Sequence, residues 1–227
     1  MSDTIVKSDA PVTLVGGGNV GPGDLSSALR LAPTLVAADS GAGAALREGH
    51  VPQVVIGDFD SLTSEDKERI PPGRLFPIDD QDTTDFDKAL ERISAPLVLG
   101  VGFLGARVDH QLAAFSSLMR YRQQSCILIG PEEIVIHMPP RIAFPVDAGE
   151  VVSLFPLARV TGRSSGLQWP IDGLVLEPGR RVGTSNRALG GPVTIDTDGP
   201  GLLGIFPRHR LEAVAQALRS PRDVAPR

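Results

Sequence analysis

Short apolar runs alternate with amphipathic segments through the first 140 residues of the chain. Each run is followed closely by glycine or aspartate, and continuous apolar runs of this kind are typical of parallel strands buried on both faces. The runs lie at residues 12–15, 35–37, 54–56, 97–99 and 127–129. The alternation predicts an α/β domain over residues 1–140 with a largely parallel sheet, whose ligands bind at the carboxyl ends of the strands.

Helical periodicity appears between these runs. Apolar residues spaced at i, i+3, i+4 and i+7 predict a helical face at Phe86, Ala89, Leu90 and Ile93. A second stripe of the same kind is formed by Leu112, Phe115 and Met119. Both helices are expected to bury these stripes against the sheet.

The pattern changes after Pro139 and Pro140. Short apolar runs at residues 151–154, 174–176, 193–195 and 202–206 are separated by frequent glycine and proline. This spacing predicts a small all-β domain, a sandwich or a barrel, over residues 141–208. A final segment, 209–227, is predicted to hold a C-terminal helix and a tail. The apolar face of that helix would consist of Leu211, Val214, Ala215 and Leu218.

Composition narrows the function classes. The 227 residues are 41% hydrophobic, no apolar stretch approaches the length needed to span a bilayer, and the first ten residues lack the apolar core of a signal peptide. There is no basic run, which argues against a nucleic-acid partner, and no glycine-rich loop is followed by lysine as in a P-loop. The single cysteine, Cys126, lies in an apolar run, so we expect a buried, inert thiol and a cytoplasmic protein.

The negative charge of the chain is concentrated in one window. Between Asp58 and Asp87 there are ten acidic and three basic residues, a local net charge of −7, whereas the whole chain carries −5. The remaining residues therefore carry +2, and eight of the ten acids in the window are aspartate. Like charges at this density are destabilising unless something neutralises them, so the window is the first candidate for chemistry.

Two acidic motifs define this window. GDFDS at 57–61 follows a predicted strand, and in extended backbone Asp58 and Asp60 would share a face, with Phe59 on the other. Two carboxylates directed at one point are typical of a Mg²⁺ site that also holds substrate phosphates, although a solvated turn is the commoner meaning of one such motif alone. The second motif, residues 79–87, opens the helix of Phe86, with Thr84 as the predicted N-cap. Capping and the helix dipole explain two or three of its five acids, and Lys88 is expected to be a partner on the helix surface.

Two glycine-containing junctions complete the candidate site. At residues 105–110, Arg107 is suited to bidentate contact with a phosphate, and Asp109 to capping the helix or holding a ribose or base. Gly16, Gly18 and Gly21 match a dinucleotide fingerprint, but Pro22 follows where the helix should already be running. We interpret the loop around Gly17 as a tight turn that lets the backbone approach a nucleotide.

Taken together, these motifs resemble those of the thiamine pyrophosphokinase (thiamine diphosphokinase) family. The resemblance extends over residues 12–206, in the same order and spacing. The motifs that carry it are ADSGA at 38–42, GDFDS at 57–61, DQDTTDF at 80–86, GARVDH at 105–110, GLQWP at 166–170 and TSN at 184–186.

The resemblance implies an α/β domain that binds ATP and Mg²⁺ and a β-sandwich domain that helps to bind thiamine, in a homodimer with shared active sites. It implies Mg²⁺ ligands at Asp58, Asp60 and Asp85, and a catalytic side chain at Gln81. ATP contacts are implied at Asp39, Ser40, Thr84, Arg107 and Asp109. Ser185 and Asn186 would contact substrate from the partner subunit, and Trp169 would pack against thiamine. From composition alone, a buried structural role for Trp169 is favoured over a ligand contact, although the cationic thiazolium ring gives a physical reason for an aromatic contact.

The implied reaction transfers the diphosphoryl group of ATP to the thiamine hydroxyl and releases AMP. Two alternatives stay open at this point. The first is a diphosphokinase of the same fold that acts on another alcohol, such as a pterin. The second is an NAD(P)-binding oxidoreductase built on Gly16, Gly18 and Gly21, which would leave the acidic window unexplained. A sensor that binds thiamine or nucleotide without catalysis is a further hypothesis, and the intact acidic window argues against it.

Overall fold

The structure of the protein is a computed structural model that describes residues 3–219. The chain divides into two compact units between Pro131 and Glu132. The boundary expected from the sequence, at residue 140, falls later. The difference arises because the strand at Glu133–His137, which precedes the two prolines, pairs antiparallel with Leu202–Pro207 of the second unit. No helix within residues 3–219 is long and apolar enough to cross a membrane.

The first unit is built on parallel strands. Its strands are β1 (Val6–Lys7), β2 (Val12–Val15), β3 (Thr34–Ala38), β4 (Val54–Gly57), β5 (Leu75–Pro77), β6 (Ile93–Ser94), β7 (Val98–Val101) and β8 (Cys126–Ile129). Six of them pair in the order β8-β7-β2-β3-β4-β5, all parallel, and β1 pairs with β6 separately. All residues of β2, β7 and β8 are buried, as the continuous apolar runs predict for a sheet covered on both faces.

In the part of the chain that the structure describes, five helices connect these strands. They are α1 (Asp24–Leu31), α2 (Gly41–Arg47), α3 (Ser64–Glu68), α4 (Asp85–Glu91) and α5 (Val108–Arg120), with a 3₁₀ turn at Pro72–Arg74. A buried cluster of β3, β4 and α2 side chains, including Leu35, Val55 and Leu46, forms part of the core. The burial of Cys126 is confirmed, and it raises the pKa of the thiol.

Two helical stripes differ from their predictions. Helix α4 ends at Glu91, and Ile93 is the first residue of β6, because the chain there pairs with β1. In α5 the buried side is formed by Ala114, Ser117 and Leu118, whereas Leu112 is 61% exposed. The predicted α5 stripe was therefore wrong in orientation. Helix α5 instead buries the side that carries Ala114, Ser117 and Leu118.

The second unit is all-β apart from its last turns. Its strands are β9 (Glu133–His137), β10 (Arg141–Val146), β11 (Val151–Pro156), β12 (Val160–Ser165), β13 (Val175–Leu176), β14 (Gly183–Arg187), β15 (Gly191–Thr197) and β16 (Leu202–Pro207). They form two antiparallel sets, β14-β11-β16-β9 and β10-β15-β12-β13. The rings of Phe144 and Phe206 meet edge to face between the two sets, with centroids 5.0 Å apart. The predicted C-terminal helix is confirmed as α6 (Leu211–Arg219), which lies against β10 and buries Leu211, Val214 and Ala215. The predicted tail beyond it lies outside the described residues.

Candidate active site

The first unit contains a cleft of about 470 Å³ at the carboxyl ends of its parallel strands. Most of the residues that the sequence singled out in this unit line it. They are Gly17, Ser40, Asp58, Asp60, Gln81, Thr84, Asp85 and Arg107. The sheet order explains the convergence, because β2, β3, β4 and β7 are neighbours and parallel strands end at the same edge of a sheet.

The turn after β4 directs two carboxylates into this cleft. Phe59 has a left-handed backbone, with φ of +63°, so the extended conformation predicted for this motif was wrong. The expected convergence is nevertheless present, because carboxylate oxygens of Asp58 and Asp60 lie within 4.8 Å of each other. The Phe59 ring packs against the core of the unit, and Lys67 donates to the Phe59 carbonyl at 2.9 Å. The left-handed residue therefore lets the chain reverse while both acids stay at the surface of the cleft.

Asp39, which follows β3, lies beneath these two acids and is fully buried. Neither of its carboxylate oxygens has a hydrogen-bond partner within residues 3–219. Burial and then repulsion from Asp85 raise the pKa of Asp39, and the nearby amides of Ser40 and Phe59 offset this only in part. Asp39 lies so close to Gly57 that a Cβ atom on Gly57 would lie 2.8 Å from the Asp39 Cβ and 3.1 Å from the Asp39 Oδ1. Glycine at position 57 is thus required by the packing of Asp39.

A buried cation sits among the acids. The side chain of Lys88 is only 3% exposed, and its Nζ donates to Asp58 Oδ2 at 2.6 Å and to Asp85 Oδ1 at 3.2 Å. The surface position expected for Lys88 was therefore wrong, since the side chain turns inward from α4. Burial opposes the charge on Lys88, but its bonds to the two carboxylates leave its pKa above the usual value. The Lys88 hydrogen bond lowers the pKa of Asp58, whereas burial raises the pKa of Asp85 despite the same partner.

The start of α4 is held by a reciprocal cap. The predicted N-cap at Thr84 is confirmed: the Asp87 amide donates to Thr84 Oγ1, and the Thr84 amide donates to Asp87 Oδ2, both at 3.2 Å. Asp80 has a comparable local role, because its carboxylate accepts from the Asp82 amide and the Thr83 hydroxyl. The acids at 80 and 87 thus organise the backbone, which leaves Asp85 as the member of this motif that contacts Lys88 in the cleft.

The glycine loop after β2 packs tightly against the same edge. A Cβ atom on Gly17 would collide with the Ser40 hydroxyl, and one on Gly18 would lie 2.5 Å from the Gly102 carbonyl oxygen. Helix α1 begins only at Asp24, after Gly23 in a left-handed conformation. The backbone of this loop therefore lies close to Ser40 and Gly102, and several residues separate it from α1. Both features are consistent with the interpretation of a tight turn.

Arg107 and Asp109 lie at the start of α5, at the rim of the cleft. Arg107 binds Asp109 through two nitrogens, Nε at 3.2 Å and an Nη at 2.6 Å. Both side chains are largely exposed, and this hydrogen bonding raises the pKa of Arg107 and lowers that of Asp109. The two residues are thus paired with each other, and Arg107 alone of the two lines the cleft.

The predicted site residues of the second unit form a separate group around Trp169. Asn186 is buried, donates to the Trp169 carbonyl oxygen at 2.6 Å and accepts from the Trp169 amide at 3.1 Å. Ser185 is in a left-handed conformation, with φ of +61°, and its amide donates to Ser153 Oγ. The Trp169 side chain is 54% exposed, so its ring is not a core residue of this unit. Asn186 therefore holds the backbone that presents the tryptophan.

Sequence reasoning missed two features of the cleft. It treated Lys88 as a surface residue, although the i, i+3 spacing from Asp85 places both on one side of α4. It also treated Asp39 as a nucleotide contact, whereas the structure groups its carboxylate with those of Asp58 and Asp60. The position of Asp39 beside Asp58 and Asp60 could have been predicted, because β3 and β4 follow each other along the chain and consecutive strands of α/β sheets are usually neighbours.

Together, the fold and the cleft define a class of two-unit proteins, in which an α/β unit carries a carboxylate-lined cleft and an all-β unit follows. The family model described as "Thiamin pyrophosphokinase, catalytic domain" matches residues 25–129. The model described as "Thiamin pyrophosphokinase, vitamin B1 binding domain" matches residues 133–202. The chain belongs to the thiamin pyrophosphokinase family.

Individual relatives agree with this assignment. Thiamine pyrophosphokinase 1 of Arabidopsis thaliana is 26% identical, over 68% of this chain and 65% of the relative. Thiamine pyrophosphokinase 3 of Oryza sativa subsp. japonica is 28% identical, over 72% and 69%. The match thus spans about two thirds of the length of these plant proteins.

Solved structures share the fold. The thiamine pyrophosphokinase of Bacillus subtilis superposes with a TM-score of 0.71 at 22% identity, and covers 87% of this chain and 98% of its own. The thiamin pyrophosphokinase of Candida albicans superposes with a TM-score of 0.75 at 14% identity, and covers 90% and 93%. At these identities the likeness establishes a common architecture.

Proposed function

We propose that this protein is a thiamine diphosphokinase, which transfers the diphosphoryl group of ATP to the hydroxyl of thiamine and releases AMP. One observation carries the proposal: in the region matched by the catalytic-domain model, the carboxylates of Asp39, Asp58 and Asp60 lie together, and Lys88 bridges Asp58 and Asp85. In the reaction, a bond forms between the hydroxyl oxygen and the β-phosphorus. The bond from that phosphorus to the oxygen of the α-phosphate breaks, AMP leaves with that oxygen, and the proton of the hydroxyl is released.

The cluster of four aspartate carboxylates in the cleft fits a hard divalent cation. Asp58 and Asp60 present oxygens from one turn, Asp85 adds another acid from α4, and Asp39 is a buried acid with no hydrogen-bond donor of its own among the described residues. Carboxylate oxygens are the ligands that Mg²⁺ takes in phosphate-transfer sites. We assign the cation to Asp58, Asp60 and Asp85. A bound Mg²⁺ supplies compensation for the negative charge of the phosphates.

Other residues of the cleft bind and orient ATP in this proposal. Arg107, at the open rim, pairs with phosphate oxygens through the fork that now holds Asp109, and Asp109 is then free to accept from a ribose hydroxyl. Ser40 and Thr84 contact the nucleotide from the strand ends, and Gly17 lets the backbone approach it. Gln81 lies at the cleft on the exposed loop before α4, where its amide orients the thiamine hydroxyl. Orientation of this kind lowers the barrier by aligning the attacking oxygen with the β-phosphorus.

The second unit supplies the thiamine surface. Its two antiparallel sets are proposed to pack as a sandwich, as the contact of Phe144 with Phe206 suggests. The half-exposed Trp169 offers an aromatic face to the thiazolium cation, supported by the exposed Ser185 and by the buried Asn186. We propose a homodimer in which these residues reach the active site of the partner subunit, and a cytoplasmic enzyme, in keeping with a single buried thiol.

The test is AMP formation by the purified chain, measured with ATP, Mg²⁺ and thiamine together and with each omitted. We expect AMP release to require all three. We expect Asp58→Asn and Asp85→Asn each to lower turnover by about 100-fold or more, because each removes a charge on which the cation depends. Asp82→Asn removes the same charge from the same acidic segment without touching the cleft, and should change turnover by less than about twofold.

Near-normal turnover of both Asp58→Asn and Asp85→Asn would contradict the cation assignment. A competition assay with other alcohols, a pterin alcohol among them, tests the acceptor. Neither this alternative nor the oxidoreductase is favoured by the family match. In addition, the glycine loop packs against Ser40 and Gly102 rather than leading directly into a helix.

A further inference from the structure

The turn that carries Asp58 and Asp60 has a strained residue between them. Phe59 has φ of +63°, a conformation that is unfavourable for a residue with a Cβ atom and persists only where the surroundings impose it. A change of backbone conformation at Phe59 would redirect Asp60 relative to Asp58, because Phe59 is the residue that joins them. Whatever fixes Phe59 therefore also fixes the relative position of the two carboxylates.

The side chain of Lys67, on α3, reaches back to this strained residue. Its Nζ donates to the Phe59 carbonyl oxygen at 2.9 Å and lies 6.0 Å from the centre of the Phe59 ring. A hydrogen bond from an ionised donor is about twice as strong as a neutral one, and a cation at this distance from an aromatic face is attracted to it as well. A single side chain thus contacts both the backbone and the ring of Phe59.

Helix α3 is itself held to the core of the first unit. Leu62 and Ile70, which flank the helix in sequence, are buried in the same cluster as Leu46 of α2. Arg69, directly after α3, donates to the Leu46 carbonyl oxygen at 3.3 Å. Because both ends of α3 are fixed in this way, Lys67 links the turn to a helix whose position is set by the core.

We infer that Lys67 is a positioning residue: its ammonium group holds the Phe59 carbonyl and so fixes the turn in the geometry that brings the Asp58 and Asp60 carboxylates together. The inference rests on the proposed function for the use of those carboxylates in cation binding. The charge of Lys67 acts in the opposite direction, because a positive charge near the two acids repels a cation. Positioning and charge therefore predict opposite changes in cation affinity when Lys67 is replaced by a neutral residue.

The test measures cation binding by the full chain, with no ATP and no thiamine. Wild type and variants are titrated with Mn²⁺, and free Mn²⁺ is followed by electron paramagnetic resonance. We expect Lys67→Met to bind Mn²⁺ about tenfold more weakly than wild type, and Lys67→Arg, which keeps a charged donor, to stay within about threefold. The matched control Arg69→Met removes one charge and one carbonyl contact next to the same helix without touching Phe59. It should stay within about twofold of wild type.

Backbone NMR chemical shifts report the conformation of Phe59 without any cation. In EDTA, Phe59 should lose its left-handed signature in Lys67→Met and keep it in Lys67→Arg and Arg69→Met. With ATP and thiamine present, Lys67→Met should need about tenfold more Mg²⁺ for half-maximal AMP release. A loss of helix stability alone would produce none of these three differences between Lys67→Met and Arg69→Met.

Equal or tighter Mn²⁺ binding by Lys67→Met would overturn the inference, and so would an equal loss in Arg69→Met, which would assign the effect to the anchoring of α3. If Lys67→Met does not fold, Lys67→Gln decides, because its side chain is one atom shorter than lysine and should show the same loss. Since no substrate is present in the titration, weaker Mn²⁺ binding by Lys67→Met supports the inference even if thiamine-dependent AMP release is not found.

Discussion

At the scale of single residues, strain and candidate chemistry coincide. Among residues 3–219, three residues other than glycine have positive φ: Asp39, Phe59 and Ser185. Asp39 and Phe59 belong to the two turns that carry the clustered aspartates of the cleft. Ser185 lies beside Asn186, which holds the backbone of Trp169. Left-handed backbone is unfavourable for residues with a Cβ atom, and such residues concentrate at functional sites. The coincidence supports both proposed sites from the backbone alone.

Replacement of Lys88 should lower the stability of the cation-free protein. Lys88→Met leaves Asp58 and Asp85 without their shared partner, and we expect it to lower the free energy of unfolding in EDTA by about 2 kcal/mol, less than for a fully buried pair because Asp85 is partly exposed. Mg²⁺ should recover part of the loss by restoring positive charge. Urea unfolding with and without Mg²⁺ measures both effects. Lys7→Met, which alters an exposed lysine on β1, is the control, and an equal loss in that variant would contradict the explanation.

At the scale of elements, short helices are positioned by their caps. Helices α3 and α4 each follow a threonine N-cap, Thr63 or Thr84, whose hydroxyl accepts from the amide of an aspartate three residues later. The two caps are chemically alike, but only the one at Thr84 lies at the cleft, directly before Asp85. The pair therefore separates the effect of a cap on stability from its effect on the site.

Removing each hydroxyl should have the same effect on the fold and different effects on activity. Thr84→Ala and Thr63→Ala should each lower the free energy of unfolding by about 1 kcal/mol, because each removes the hydroxyl that accepts from the amide of the aspartate three residues later and donates to its carboxylate. Thr84→Ala should also reduce diphosphoryl transfer, since Asp85 and Lys88 sit on the helix that it anchors. Thermal unfolding and AMP release measure the two properties. Equal turnover in the two variants would show that the start of α4 does not position the site.

At the scale of the whole molecule, ion pairs have different tasks in the two units. In the first unit, Lys88 neutralises part of the charge of Asp58 and Asp85, which the proposed function assigns to cation binding. In the second unit, Arg210, just before α6, binds both oxygens of Glu150 at 2.7 and 2.8 Å and also contacts Asp147. These contacts tie the segment before α6 to the turn between β10 and β11. The same bonding lowers the pKa of Glu150 to about 2.

The ion pair between Arg210 and Glu150 makes the folded protein less stable as the pH falls. Because the pKa of Glu150 in the folded chain lies below its ordinary value of 4.5, its contribution is complete above pH 4.5 and is lost as the pH falls toward 2. We expect Glu150→Gln to lower the melting temperature at pH 7 and to flatten its fall between pH 5 and pH 3, measured by calorimetry. Glu177→Gln, which removes the partner of the exposed Arg180, should leave that fall unchanged. If Glu150→Gln shows the same fall in melting temperature as wild type, the pH dependence arises from groups other than Glu150.

Local patterns determined much of this protein. The five apolar runs became β2, β3, β4, β7 and β8 because strands buried on both faces need continuous hydrophobic sequence. The N-cap at Thr84 and the C-terminal helix were equally readable, since both depend on neighbouring residues. Strands such as β10, whose buried and exposed residues alternate, and the two-residue β1 and β6 were missed because their signals are shorter or weaker than the apolar runs.

Residue types and apolar runs establish which residues carry charge and where strands end, and so they predict an acidic site at one edge of a parallel sheet. The contacts that those acids make depend on how the strands and helices pack. Asp39 is buried beside Asp58 because β3 lies next to β4, and Lys88 turns inward because α4 packs over the same edge. These are contacts between residues distant along the chain. Their geometry depends on strand order and helix packing, which the local periodicity of a sequence does not contain.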